Sequence, residues 1–436
     1  MAREGDRRCM RLEIAEVNIK DVAFAQGTRV AGGVLYIDAG ELRDVLSEDR
    51  RFASVSIELA KPGDETRICP VKDVIEPRAK ASDAGVFPGL AGTVATVGSG
   101  KTCVLKGVAV VTTGPVIGFQ EGIIDMSGPA APFTPFSGTF NVVVVTEPAG
   151  GLDPHEHEEA LRLAGLKAAS HLGTIAARIE PSTVKVYETV PISEALLKYP
   201  GLPRVAYVYM LQSQGLLHDT YVYGVDAKRI LPTLISPTEV MDGAIVSGNC
   251  VSACDKNTTY HHLNNPVIED LFERHGRELV FAGVIITNEN VTLTDKERSS
   301  DYVAGLAQAL GVDGAIISKE GFGNPDTDLI MNCRKLEARG IKTVLITDEY
   351  AGRDGGSQSL ADAHAAADAV VSTGNANEVI ELPPVKKTIG RQSQVDRLAG
   401  GWAGSVQKGG SVRVELQAII GATNELGFGR LTARGY

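Results

Sequence analysis

Leu279-Val-Phe-Ala-Gly-Val-Ile-Ile-Thr287, Gly314-Ala-Ile-Ile-Ser318 and Thr343-Val-Leu-Ile-Thr347 are short apolar runs rich in β-branched residues, each separated from the next by text of helical spacing. Runs of this length and composition read as strands buried on both faces, as in a parallel sheet. The intervening text supplies helices over 295–310 and 326–339, with another over 267–275 ahead of the first run. A helix over 359–367 and a strand over 369–372 extend the series, so the second half is expected to be a doubly wound parallel sheet. Ligands of such sheets sit beyond the carboxyl ends of the strands. That rim carries Thr287-Asn-Glu-Asn290, Lys319-Glu-Gly-Phe-Gly-Asn324 and Thr347-Asp-Glu-Tyr350.

Upstream the pattern differs. Residues 11–147 are short apolar runs broken by Gly and Pro, such as 33–37, 104–112 and 141–145, which reads as mostly β. Over 154–179 a His-Glu-His-Glu-Glu start precedes apolar residues at helical spacing, with acids where the helix dipole favours them. Strands follow over 184–187, 205–210 and 221–225, then a Pro-punctuated stretch through Thr238. The fold class is therefore α/β: a mixed α+β N-terminal half followed by a doubly wound C-terminal domain. The tail, 382–436, is Gly-rich and holds one more strand over 412–420.

The chain's 436 residues suffice for two or three domains, and 43% hydrophobic with 22% charged residues is ordinary for a folded protein. A formal net charge of -11 opposes a nucleic-acid face, which needs clustered Lys and Arg. No apolar run approaches the roughly 20 residues that span a bilayer, and residues 1–9 are charged, so a cytoplasmic location is expected. Six dispersed cysteines, Cys9, Cys69, Cys103, Cys250, Cys254 and Cys333, are expected to be reduced.

Gly98-Ser-Gly-Lys-Thr102 fails as a phosphate loop, because the required Gly stands as Ala95 and the text leads into a strand; a hairpin turn fits better. His155 and His157 are two apart on a helix and face differently, which favours a solvated helix start over a metal site. No Gly-x-Gly-x-x-Gly opens a helix after a strand, which weighs against nucleotide binding. Cys250-x-x-x-Cys254 and the adjacent His261 and His262 lack zinc-ligand spacing, and no metal is assigned.

Ser247-Gly-Asn-Cys-Val-Ser-Ala-Cys-Asp-Lys-Asn257 puts an Asn249-Cys250 bond among small and polar residues. A thiol there can attack the preceding carbonyl, moving the acyl group from nitrogen to sulfur, with Gly248 supplying backbone freedom. Elimination and hydrolysis would leave a pyruvoyl cap and ammonia. Asn-Cys pairs are common, and on spacing alone the reading of Cys250 and Cys254 as two buried thiols on one helical face is the stronger one.

Longer stretches decide between these. Glu58-Leu-Ala-Lys-Pro-Gly-Asp64, Val71-Lys-Asp-Val-Ile-Glu-Pro77, Gly118-Phe-Gln-Glu-Gly-Ile-Ile-Asp-Met-Ser-Gly128, Tyr209-Met-Leu-Gln212, residues 215–226, 241–256 and Gly321-Phe-Gly-Asn-Pro-Asp-Thr-Asp328 resemble the precursor of the α and β subunits of component B of glycine, sarcosine and betaine reductases, over nearly the whole chain. The resemblance implies cleavage between Asn249 and Cys250 into residues 1–249 and 250–436, with a covalent pyruvoyl group derived from Cys250. It implies an oxidoreductase in which that carbonyl forms a Schiff base with the substrate amine, a partner selenolate displaces ammonia as a carboxymethyl selenoether forms, and acetyl phosphate follows. The implied partners are a selenoprotein or cysteine-containing subunit of component B, the selenoprotein component A, the acetyl-phosphate-forming component C and a small amino acid.

Asn249, Cys250 and the neighbouring Cys254 are the expected site residues. Ser247, Ser252 and Asp255 are candidates to assist cleavage. Lys256, Asn257 and the rim loops are candidates for the substrate carboxylate. The wording of the motifs favours glycine over sarcosine, betaine or, more distantly, D-proline. An uncleaved, non-catalytic scaffold is the competing reading.

Overall fold

The computed structural model describes residues 9–82, 85–215, 217, 220–248 and 251–428, with the backbone of 432–434. Asn249 and Cys250 lie outside the described residues.

Five parallel strands form the centre of the main sheet, in the spatial order Val280–Asn288, Arg204–Leu211, Gly314–Ser318, Lys342–Glu349 and Val370–Asn375. Thr233–Ile235 and Thr432–Arg434 close its edges antiparallel. Helices Pro266–Arg274, Leu293–Leu310 and Asn324–Glu337 link the strands. The Leu293–Leu310 helix starts on Thr292, whose side chain accepts from the Asp295 N–H, and stops on Gly311 in the left-handed region at φ 63°. The hydroxyl takes up a free N–H at the start, and the left-handed glycine turns its own N–H back onto the Ala307 and Gln308 carbonyls at the end.

The order carries a finding the sequence did not suggest. Arg204–Leu211, from before the expected cut, lies between two strands from after it. Its alternate residues serve two cores: Tyr207, Tyr209 and Leu211 face one, and Ala206, Val208 and Met210 the other. The tail strand Lys387–Gly390 in turn pairs with Thr66–Ile75 of the first half. A parallel sheet selects strands for burial on both faces, not for chain order. The position 249/250 thus divides the chain without dividing the sheets.

The first half builds a second sheet in the order Gly122–Asp125, Thr66–Ile75, Val108–Thr113, Phe140–Pro148 and Phe52–Ala60. Helix Pro154–Ala176 lies across it, opened by a reciprocal capping box of Asp153 and Glu156. Its small residues permit close approach: a Cβ on Gly173 would stand 2.2 Å from the Arg78 carbonyl carbon. His155 is exposed as expected of a solvated start, but His157 is buried, and burial pushes its ring down to about 4.

Two further expectations are corrected. Residues 359–367 form no helix, because the segment spends its polar groups on neighbours: the Ser359 hydroxyl donates to Glu349 and the Ala361 N–H to Asp326 at 2.7 Å. The tail strand ends at Glu415, where the chain turns through Leu416–Ala418. Among the described residues, no helix is long and apolar enough to cross a membrane.

Within the first-half sheet a buried two-point pair, Arg67 Nε to Asp125 Oδ1 at 2.7 Å and Nη2 to Oδ2 at 2.8 Å, holds the guanidinium that reaches the tail. Arg67 also donates to the Pro383 carbonyl and to Gln392. Asp125→Ala would leave that guanidinium buried and half-paired, at a cost of about 3–5 kcal/mol. Denaturant unfolding is expected to show an earlier midpoint, with 383–392 becoming accessible to protease.

Candidate functional site

Val251 to Asn257 is buried along its whole length, at the seam of three elements. The tail donates to it from Gly421 N to the Ala253 carbonyl at 2.8 Å and from Thr423 N to the Cys254 carbonyl at 3.1 Å. Asn424 Nδ2 donates to the Lys256 carbonyl and to Asn257 Oδ1. From the first-half sheet, Asp73 accepts from Thr259 N at 2.9 Å and Thr259 Oγ1 at 2.7 Å, and the Lys72 carbonyl accepts from Lys256 Nζ. From the rim of the parallel sheet, Glu320 Oε1 accepts from Asn257 N at 2.9 Å. A Cβ on Gly122 would stand 2.4 Å from that of Ala253, so glycine is what lets the first-half sheet close on the segment.

Beneath it the strand ends deliver an acid cluster. Lys319 Nζ lies 2.8 Å from Asp326 Oδ1, 3.1 Å from Asp348 Oδ1 and 4.0 Å from Glu425 Oε1. Asp255, Glu289 and Glu320 are buried with them. Burial, with the Asp348 charge behind it, raises the Asp255 carboxyl well above its ordinary range; burial with Asp348 and Asp255 does the same for Glu425. Burial also raises Glu289, and it outweighs the pull of Lys319 at Asp348. Lys319 itself would be lowered by burial, but Asp348, Asp326 and Glu425 hold its ammonium well above the ordinary lysine value. Burial thus shifts Asp255, Glu289, Asp348 and Glu425 toward their protonated forms.

Cys254 is fully buried, and burial followed by the charges of Asp255 and Asp348 pushes its thiol well up, away from thiolate. Its sulfur and the Asp255 and Asp348 carboxylates offer atoms within 4.8 Å of one another, a grouping the Cys-x-x-x-Cys spacing did not reveal. His261 and His262 sit on the short helix Thr259–Leu263, and burial pushes both down to about 3. His262 Nδ1 is 2.6 Å from the Tyr209 hydroxyl, and His261 Nδ1 is 2.9 Å from Thr258 Oγ1.

A cavity of about 250 Å³ opens where the described chain resumes, lined by Val251 and Ser252, by Gly321 and Phe322 of the rim, and by Gln120 and Gln212. It lies below the roughly 300–1,000 Å³ of pockets for drug-sized ligands, a size suited to a few heavy atoms. Phe322 stacks on Tyr350 with centroids 3.9 Å apart.

Of the expected helpers, Ser252 lines the cavity, Ser247 Oγ donates to the Gly248 carbonyl at 2.9 Å, and Asp255 joins the acid cluster. Lys256 and Asn257 do not line it; their polar groups meet Lys72, Asn424 and Glu320 instead. Sequence reasoning overlooked Gln120 and Gln212. Gln212 follows the last residue of the Arg204–Leu211 strand, the position the rule for parallel sheets marks out.

Glu425→Gln removes a carboxyl that burial shifts toward its protonated form. Its folded value lies above the unfolded one, so the native state binds the extra proton and loses stability as pH rises above the ordinary carboxyl range, by up to about 1.4 kcal/mol per pH unit. Thermal unfolding from pH 4 to 8 is expected to show variant and parent alike in acid, with the variant gaining as pH rises.

A family model described as glycine/sarcosine/betaine reductase component B subunits matches residues 10–434. The glycine reductase complex component B subunits alpha and beta of Acetoanaerobium sticklandii are 63% identical over 430 residues, covering 98% of this chain and 100% of that protein. Those of Peptoclostridium acidaminophilum are 62% identical, and the same organism's sarcosine reductase complex component B subunit alpha is 56% identical, each covering 98% of this chain and 100% of the relative. No solved structure matches the chain.

Proposed function

Because the chain belongs to the family of glycine/sarcosine/betaine reductase component B subunits, we propose that it is the self-processing precursor of a pyruvoyl-dependent subunit that acts on glycine. The observation that carries this reading is the small cavity at Val251 and Ser252, on the ligand-binding rim of the parallel sheet. The choice of glycine is supported by relatives named for glycine reductase at 62–63% identity, against 56% for the sarcosine and 39% for the betaine relative. A D-proline reductase proprotein matches at 24% over 79% of this chain.

In this reading the Cys250 thiol attacks the Asn249 carbonyl carbon; the peptide C–N bond breaks as a thioester forms, and the Cys250 amine is freed. Loss of the Cys250 α-proton then expels the sulfur with the first fragment as a thiocarboxylate, and water replaces the nitrogen as ammonia leaves. The resulting pyruvoyl group supplies a ketone that accepts the substrate's primary amine and weakens its carbon-nitrogen bond. Asp255, whose carboxyl burial shifts toward its protonated form, is the proposed proton source close in the chain to the bond being cut. Ser252 borders the cavity, and Cys254, held as a thiol, serves packing. A selenolate or thiolate on another subunit of component B completes the displacement, and components A and C carry the product to acetyl phosphate.

Protein co-expressed with its partner subunit is expected to give fragments of 249 and 187 residues by intact mass. The smaller fragment is expected to carry a phenylhydrazine-reactive carbonyl, and Cys250→Ala to remain one uncut chain. A folded, uncut parent with a free Cys250 thiol would return the scaffold reading.

A further inference from the structure

We infer that the substrate's carboxylate is held by neutral amides, the Nε2 groups of Gln120 and Gln212, with no cationic side chain in contact. This rests on the reading above and names how the same cavity selects its ligand. No Lys, Arg or His stands among the described residues that line the cavity. Among the described residues, the donors offered to a carboxylate there are neutral.

Both glutamines are built into the wall, 5% and 6% exposed. Their carbonyl ends are already committed to backbone. Gln120 Oε1 accepts from Phe119 N at 3.2 Å, and Gln212 Oε1 accepts from Ser213 N at 2.9 Å and Gln214 N at 2.8 Å. Those bonds decide which way each amide faces, because an N–H can only be met by the oxygen. The two NH2 groups are left without a hydrogen-bond partner among the described residues, and Gln212 Nε2 lies 3.3 Å from where a Cβ on Gly321 would stand, beside Val251 Cγ1 at 3.2 Å. Gln214 adds a third: its Oε1 accepts from Asn324 Nδ2 at 2.9 Å while its own Nε2 is buried and unpartnered.

The loop that carries Gln120 is fixed from behind. Glu121 Oε1 pairs with Lys72 Nζ at 2.6 Å and accepts from Ile117 N at 2.6 Å and Gly118 N at 3.1 Å. Gln212 is fixed by its place after a central strand. Amide donors on a cavity wall are open to a ligand, and hydrogen bonds to a carboxylate are the strong kind. Neutral amides also suit a zwitterion: they hold the acid end without bringing a cation near the amine that must react at residue 250.

Gln120→Glu and Gln212→Glu test this, since each keeps the oxygen that anchors the backbone and replaces the donor with a like charge. Equilibrium dialysis of labelled glycine against the processed complex is expected to show affinity lower by about tenfold or more in each variant. Borohydride trapping of methylamine, which lacks a carboxylate, is expected to be unchanged. Glycine affinity at the parent level in both variants, parallel loss of methylamine trapping, or no glycine binding by the parent would each overturn the inference. Absence of a carbonyl in the parent would overturn the pyruvoyl reading instead, with the dialysis result still deciding the role of the amides.

Discussion

Lys319 brings one ammonium to a place where the parallel strands deliver their carboxylates, and the architecture around residues 251–257 depends on that balance. Asp326 and Asp348 reach it directly and Glu425 sits 4.0 Å away, all in the absence of solvent exposure. One positive charge does not neutralise that many acids, and burial shifts Asp255, Glu289 and Glu425 toward their protonated forms. Removing the ammonium would strand the remaining charges, the costly way to break a buried pair. The same shortage of positive charge raises the carboxyls at the rim of the doubly wound sheet, next to the chain segment where acyl transfer is proposed.

Interleaving is the second constraint. Arg204–Leu211 sits inside the sheet formed by later strands, Lys387–Gly390 pairs with an early one, and Arg67 reaches the tail at Pro383 and Gln392. A cut at 249/250 would sever one connection and leave these contacts in place. The cavity would keep both its walls, with Gln120 and Gln212 from one fragment and Val251, Ser252 and Gly321 from the other.

Much of the parallel sheet was legible because both-face burial leaves its mark in apolar runs: the strand over 314–318 is observed over that same span, and the helices over 267–275, 295–310 and 326–339 shift by no more than two residues at either end. The helix over 359–367 was misread because Ala-rich spacing looks helical, while Ser359 and Ala361 bond instead to Glu349 and Asp326, distant in sequence. Strand order was hidden for a related reason, since nothing local in 204–211 says which neighbours it will take. The acid cluster was visible only as polar loops; that Lys319, Asp348 and Glu425 converge is a property of the closed fold. The orientation of the Gln120 and Gln212 amides was invisible because it is set by the backbone N–H groups that their oxygens meet in the closed fold.

The central claim is that residue 250 carries the electrophile that meets the substrate amine in this cavity. It is tested most directly by reducing the processed complex with borohydride in the presence of isotopically labelled glycine and mapping the label by peptide mass spectrometry. The account requires the label on the peptide whose first residue is position 250, in proportion to the fraction of chain cleaved. Label confined to lysine side chains, or a cleaved protein that takes up none at saturating glycine, would contradict it.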